Sequence, residues 1–143
     1  MKSLTVFLLV GTMWAQTPRA ATLAQQKECA NQAAKVFQRD KETGTKVVTS
    51  DYTSHYDPKA NICYVRIMQT LMNGKVPSTS DVVYDAFERR VYANYLWINS
   101  EGKKYWEVSP MECAVHPIGK DEITCKSAPE FDELVEDLLG IGK

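Results

Sequence analysis

Histidine is scarce in this chain: His55 and His116 are the only two among 143 residues. Neither has a partner at ligand spacing, so no histidine metal site and no histidine-based acid–base pair is written into the sequence. Ser54 adjoins His55, but neighbours on a strand point to opposite faces, which prevents that pair from acting as nucleophile and base. Cys-x-x-Cys spacing is absent as well, and with it the usual framework for a zinc ion held by four thiolates. Basic residues are scattered, with Arg89-Arg90 and Lys103-Lys104 as the only adjacent pairs. Nucleic-acid binding needs clustered Lys and Arg to neutralise phosphates, and this chain lacks the cluster. No apolar run reaches the ~20 residues that a membrane-crossing helix requires. No cofactor motif and no metal site is expected.

What is present begins with Met1-Lys2-Ser3 and an apolar stretch from Leu4 to Val10 that continues to Ala15. A basic start followed by about a dozen apolar residues has the form of a secretory signal. The expectation is a signal peptide over residues 1–20, cleaved somewhere between Ala15 and Ala24, and a single disulfide-bonded domain over residues 25–140. Removing the signal takes Lys2 and Arg19 with it, so 18 acidic side chains outnumber the remaining basic ones and the mature chain is slightly acidic. The expected location is the periplasm or the exterior of the cell, with no membrane span after cleavage and a monomeric state.

Four cysteines follow the signal: Cys29, Cys63, Cys113 and Cys125. An even number behind an export signal is a disulfide framework. Three pairings are formally open. The favoured one joins Cys29 to Cys63 and Cys113 to Cys125, because the last two flank a short polar excursion that closes easily. By the chain-entropy argument such a loop stabilises by about 3 kcal/mol and the longer Cys29 to Cys63 loop by nearly 4, comparable to the whole net stability of a small domain.

Hydrophobic spacing divides the mature chain into elements. Cys29, Ala30, Ala33, Ala34, Val36 and Phe37 recur at helical spacing between Leu23 and Arg39. Val47–Tyr56 alternates as a strand, Asp57–Asn61 is a turn, and Ile62–Leu71 is the returning strand. A polar connection is expected from Asn73 to Ser80, then a second hairpin of Asp81–Phe87 and Val91–Ile98. Asn99-Ser100-Glu101-Gly102 reads as a turn, Lys104–Val115 as a fifth strand broken at Ser109-Pro110, and Ile123–Cys125 as a short edge piece. Ser127 three residues before Glu130, with Pro129 between them, is a helix start. Phe131, Leu134, Val135, Leu138 and Leu139 form the apolar stripe of that helix, and Gly140 ends it. The predicted class is α+β, with an antiparallel sheet of about five strands between two helices that pack on one sheet face.

Two groups of residues attract a functional reading. Tyr84, Phe87, Tyr92, Tyr95, Trp97, Tyr105 and Trp106 crowd into one part of the chain. Tyr95, Trp97, Tyr105 and Trp106 are the candidate binding residues, a platform for a protein, peptide or glycan if the helices cover the Leu96 face, and core if they cover the Trp97 face. Glu107 and Glu112 flank the Ser109-Pro110 break and, with His55, are the candidates for hydrolysis of envelope polymers, a chemistry that needs two of these groups in one cleft. The bland reading of the acids is solvated strand-edge charge. The leading expectation is a non-enzymatic binding or interaction domain; an inhibitor or stress-linked envelope protein would differ only in its partner.

Tyr52-Thr53-Ser54-His55-Tyr56, Asn61 with Cys63, Tyr84-Asp85-Ala86-Phe87, Tyr92-Ala93 with Tyr95, Tyr105-Trp106-Glu107-Val108 and Glu112-Cys113 together resemble a group of small exported bacterial proteins with no established activity. The likeness spans about Cys29 to Leu138. It implies bacterial export and a shared cysteine-bearing domain, and it supplies no catalytic residue. In one place the chain departs from the group: glycine is expected in the turn after Phe87-Glu88, where this sequence has Arg89-Arg90.

Overall fold

The computed structural model describes residues 20–41, 46–99, 103–104 and 107–141. The expected signal segment up to residue 19, most of the Asn99–Gly102 turn, Tyr105 and Trp106 lie outside the described residues. Among the described residues the chain runs α1 (Leu23–Lys41), β1 (Lys46–Asp57), β2 (Ile62–Asn73), β3 (Val76–Asp85), β4 (Val91–Ile98), β5 (Glu112–Val115), β6 (Ile123–Thr124) and α2 (Ala128–Leu139). The strands form one antiparallel sheet in sequence order, so every neighbour in the sheet is a neighbour in the chain.

Local chemistry sets the boundaries. At the start of α1 the Thr22 hydroxyl accepts from the Gln25 backbone N–H at 3.2 Å, and the Gln25 side-chain oxygen Oε1 accepts from the Thr22 N–H at 3.0 Å. This reciprocal cap satisfies two backbone donors that the helix leaves open. Ser127 caps α2 by accepting from the Glu130 N–H, while the Glu130 carboxylate takes the Lys126 N–H at 2.8 Å. Gly140 closes α2 at φ 68°, and Ile141 N–H donates back to the Glu136 carbonyl at 3.1 Å. That pairing is the left-handed glycine stop of a helix.

The sheet has six strands rather than five. Between Asn73 and Ser80, where a polar connection is expected, only Gly74 and Lys75 separate paired residues Asn73 and Val76. Gly74 at φ 64° supplies the positive φ of a two-residue hairpin, and β3 begins at once through Val76-Pro77-Ser78-Thr79-Ser80. The expected fifth strand is shorter than Lys104–Val115. Glu107 N–H turns back to the Lys104 carbonyl at 2.9 Å, and pairing with β4 starts only where Met111 N–H reaches the Leu96 carbonyl at 2.8 Å. Ile123 and Thr124 then add the sixth strand on β5.

The helices do not share a sheet face. Cys63, Val65 and Ile67 of β2 pack with Cys29, Ala33, Val36 and Phe37 of α1, whereas Tyr64 packs with Tyr92, Tyr95, Trp97, Val115 and with Phe131, Val135 and Leu139 of α2. Alternate residues of a strand point to opposite sides, so two cores lie on the two faces of one sheet. The reason is legible in β2 itself: Cys63, Tyr64 and Val65 are consecutive and all buried, which a half-solvated strand cannot achieve. Each core carries one cross-link, Cys29–Cys63 on the α1 face and Cys113–Cys125 on the α2 face. No described helix is long and apolar enough to cross a membrane.

Candidate functional site

The structure disperses most of the residues that sequence singled out. Tyr95 and Trp97 are 4% and 7% exposed and belong to the α2 core, so they form no surface platform. α2 covers the face they occupy: Phe131 lies against Tyr95 with ring centroids 5.4 Å apart, and the Trp97 indole N–H donates to the Val108 carbonyl at 3.2 Å. Glu107 lines a depression of about 290 Å³ beside Lys126 and the first turn of α2. Its carboxylate accepts the Lys104 N–H at 2.8 Å and acts as a local turn cap. Glu112 sits on β5 opposite Leu96 and accepts from the Asn94 amide at 2.8 Å.

His55 is remote from Glu112. It pairs with Tyr64 on the α2 face, and the register from Tyr64 through Asp85 and from Leu96 to Glu112 places Glu112 on the α1 face. Four inter-strand steps separate β1 from β5, roughly 19 Å at ~4.8 Å per step. Two-carboxylate glycoside chemistry works over roughly 5–10 Å. The structure therefore does not bring His55 and Glu112 into one cleft. The other histidine, His116, has its Nδ1 3.4 Å from the Glu122 carboxylate at the exposed β6 edge.

A buried charge cluster on the α2 face is structural. Arg66 Nε donates to Asp81 Oδ1 at 3.0 Å, its Nη2 bridges Asp81 and Asp132, and its guanidinium carbon lies 5.8 Å from the Phe131 ring centre. Burial pushes the Asp81 carboxyl above its ordinary range, against the pull of the Arg66 bonds, and the two aspartates hold Arg66 firmly charged. The cluster ties α2 to the middle of the sheet.

The α1 face is different. α1 packs chiefly on β1 and β2, with Phe37 stacked on Tyr52 at 4.6 Å, and of β3 only Tyr84 packs against the same core. Along its open flank runs a groove of about 250 Å³ lined by Asp40, Ile67, Gln69, Ser80, Val82, Tyr84 and Arg89. Strand pairing explains the lining: Gln69 faces Ser80, Ile67 faces Val82 and Val65 faces Tyr84, so polar and apolar rungs alternate on one face. Arg89 comes from the turn after β3 and Asp40 from the last turns of α1, and they meet at 3.0 Å.

Arg89 occupies the position where glycine is expected, and its φ of 60° lies in the left-handed region that a β-carbon disfavours. The turn over-determines this conformation. Asp85 Oδ1 accepts from the N–H groups of Phe87 and Glu88 at 2.8 and 3.2 Å, and the Arg89 N–H donates to the Asp85 carbonyl at 2.8 Å. A strained residue persists only where its surroundings enforce it, and such residues concentrate at functional sites. The Arg89 guanidinium also lies 6.0 Å from the Tyr84 ring centre. Burial raises the Tyr84 hydroxyl's pKa, with Asp40 adding to the rise and Arg89 opposing it, so the phenol stays protonated and available as a donor. No sequence motif marks this groove; the only forewarning is the missing glycine after Phe87-Glu88. No family model, curated protein or solved structure matches the chain, so its functional reading rests on its own geometry.

Proposed function

We propose that this is a non-enzymatic binding domain that works outside the cytoplasm, and that its contact surface is the groove between α1 and β3. The observation that carries the reading is a contrast in where polar groups stand. The acid–base groups with chemical potential are dispersed over both faces, whereas Arg89, Tyr84, Ser80 and Gln69 converge on one groove. One disulfide holds its walls, Cys29–Cys63 anchoring α1 against β2, and the second, Cys113–Cys125, secures the opposite core. Cross-links of this kind suit an oxidising compartment, which agrees with the export signal expected of the first 20 residues and with the resemblance to exported bacterial proteins.

The test is amide-shift mapping of the disulfide-intact chain against separate pools of amino acids, short peptides, carboxylic acids and saccharides. Saturable shifts centred on Gln69, Ser80, Tyr84 and Arg89 are expected with one pool. Turnover of any pool member, or shifts only elsewhere, overturns the reading.

A further inference from the structure

We infer that the groove recognises a neutral, hydroxyl-rich unit, a single sugar ring of a saccharide, and that Arg89 is its specificity-determining residue. The inference rests on the binding-domain reading and adds the chemistry of the ligand.

Charge comes first. Asp40 and Arg89, the two charged residues of the lining, lie 3.0 Å apart and offset each other there, while Arg39, with a largely exposed side chain outside the lining, lies 4.0 Å from the same Asp40 oxygen. An anion would gain from Arg89 and be repelled by Asp40, and a cation the reverse. A neutral ligand hydroxyl bonds favourably to either, because it both donates and accepts.

The hydrogen-bonding inventory has the same character. Ser80 and Tyr84 offer hydroxyls that hydrogen-bond to no described residue, and Gln69 uses its amide N–H on Ser50 at 3.2 Å while its carbonyl oxygen stays open. Arg89 uses Nη2 on Asp40, and its remaining N–H donors have no described acceptor. Mixed donors and acceptors at short spacing match vicinal hydroxyls better than they match a carboxylate, which only accepts. Ile67, itself only 4% exposed, and Val82 complete the lining, so the groove's accessible surface is mainly polar, as hydroxyl recognition requires. At about 250 Å³ the groove is smaller than the ~300–1,000 Å³ of pockets for larger ligands, a size for one ring.

The backbone at Arg89 supplies an independent argument. Glycine would adopt φ 60° without strain, so what the arginine adds at this position is its side chain, and that side chain ends in the groove. A merely structural arginine would make its removal destabilising. A binding arginine at a strained position makes removal neutral or favourable for folding and harmful for binding.

The experiment titrates the full disulfide-intact chain with glucose, N-acetylglucosamine and their β-1,4-linked dimers, with acetate and glycine as anionic and zwitterionic controls, followed by ¹⁵N amide shifts. At least one neutral saccharide is expected to give saturable shifts on Gln69, Ser80, Val82, Tyr84 and Arg89, with a Kd on the order of 1 mM for so few contacts. Arg89→Gly and Arg89→Asn are expected to weaken that binding about tenfold or more while the unfolding midpoint stays level or rises. Groove shifts with acetate or glycine alone overturn the saccharide inference and leave the binding-domain reading standing. Silence of the groove toward every saccharide overturns it equally, and undiminished affinity in Arg89→Gly removes Arg89 from the recognition set.

Discussion

Cys63 and Tyr64 are neighbours in sequence, each 1% exposed, and they lie in separate hydrophobic cores on opposite faces of β2. Cys63 is cross-linked to α1, and Tyr64 packs edge-on against Tyr92 at 5.2 Å beneath α2. β2 is thus the shared wall of the two half-domains, and several consequences are measurable.

Burial pushes the Tyr64 hydroxyl up to about 12, with Tyr92, Asp57 and Asp85 adding to the rise. A folded-state value above the unfolded one means the contribution to stability is complete below about pH 10 and is lost as pH climbs toward 12. Denaturation between pH 9 and 12 should show wild type losing stability that Tyr64→Phe does not lose. Equal slopes in the two proteins would exclude Tyr64 as the source.

Arg66→Ala leaves Asp81, whose side chain is 10% exposed, without its counter-charge. The expected cost is about 3–5 kcal/mol in chemical denaturation. Asp132 is 54% exposed, so Asp132→Asn should cost under about 1 kcal/mol despite touching the same guanidinium. Similar losses in the two variants would contradict this division of the cluster.

The two disulfides should fail separately. Replacing Cys29 and Cys63 by Ala is expected to destabilise by nearly 4 kcal/mol in the chain-entropy account, and Cys113 with Cys125 by about 3. Because Cys29–Cys63 serves only the α1 core, hydrogen exchange in its absence should speed in Ala33–Phe37 before it speeds in Phe131–Leu139. Uniform loss of protection would mean the cores unfold as one.

Gly140 at φ 68° and Arg89 at φ 60° share a backbone conformation and hold opposite residues. A β-carbon at Gly140 would meet nothing within 4 Å, so Gly140→Ala should cost about 1 kcal/mol from backbone strain alone. Arg89→Gly should fall between no change and about 1 kcal/mol of added stability, strain relief being offset by the lost ion pair with Asp40. Thermal unfolding of both variants decides it; destabilisation by Arg89→Gly would make that arginine a structural residue.

Local signals were the readable part. Ser127, Pro129, Glu130 and Gly140 mark α2 because caps act within one turn of the helix and need no tertiary partner. Asn73-Gly74 is also a local turn signal, yet the polar Pro77-Ser78-Thr79-Ser80 run hid the strand that follows it. Those residues become strand through pairing with Gln69–Met72, a contact that composition does not display. Thr22 and Gln25 held a legible cap that the apolar spacing of α1 overshadowed. The groove was not legible. Asp40, Gln69, Ser80, Tyr84 and Arg89 are spread over half a hundred positions and are unremarkable singly.

The amino-acid order alone determined the α+β element sequence, both helix ends of α2, the hairpin character of the strands and an even set of four cysteines, since each depends on neighbours within a few residues. Tertiary packing decided the rest. Alternation places Tyr95 and Trp97 together but cannot say which side of a sheet a helix will cover, because either side offers apolar area and the hydrophobic effect has no direction. Only when α1 and α2 settle on opposite faces do Tyr95 and Trp97 become core. The same packing, by centring α1 on β1 and β2, brings Asp40 to Arg89 at 3.0 Å beside the groove.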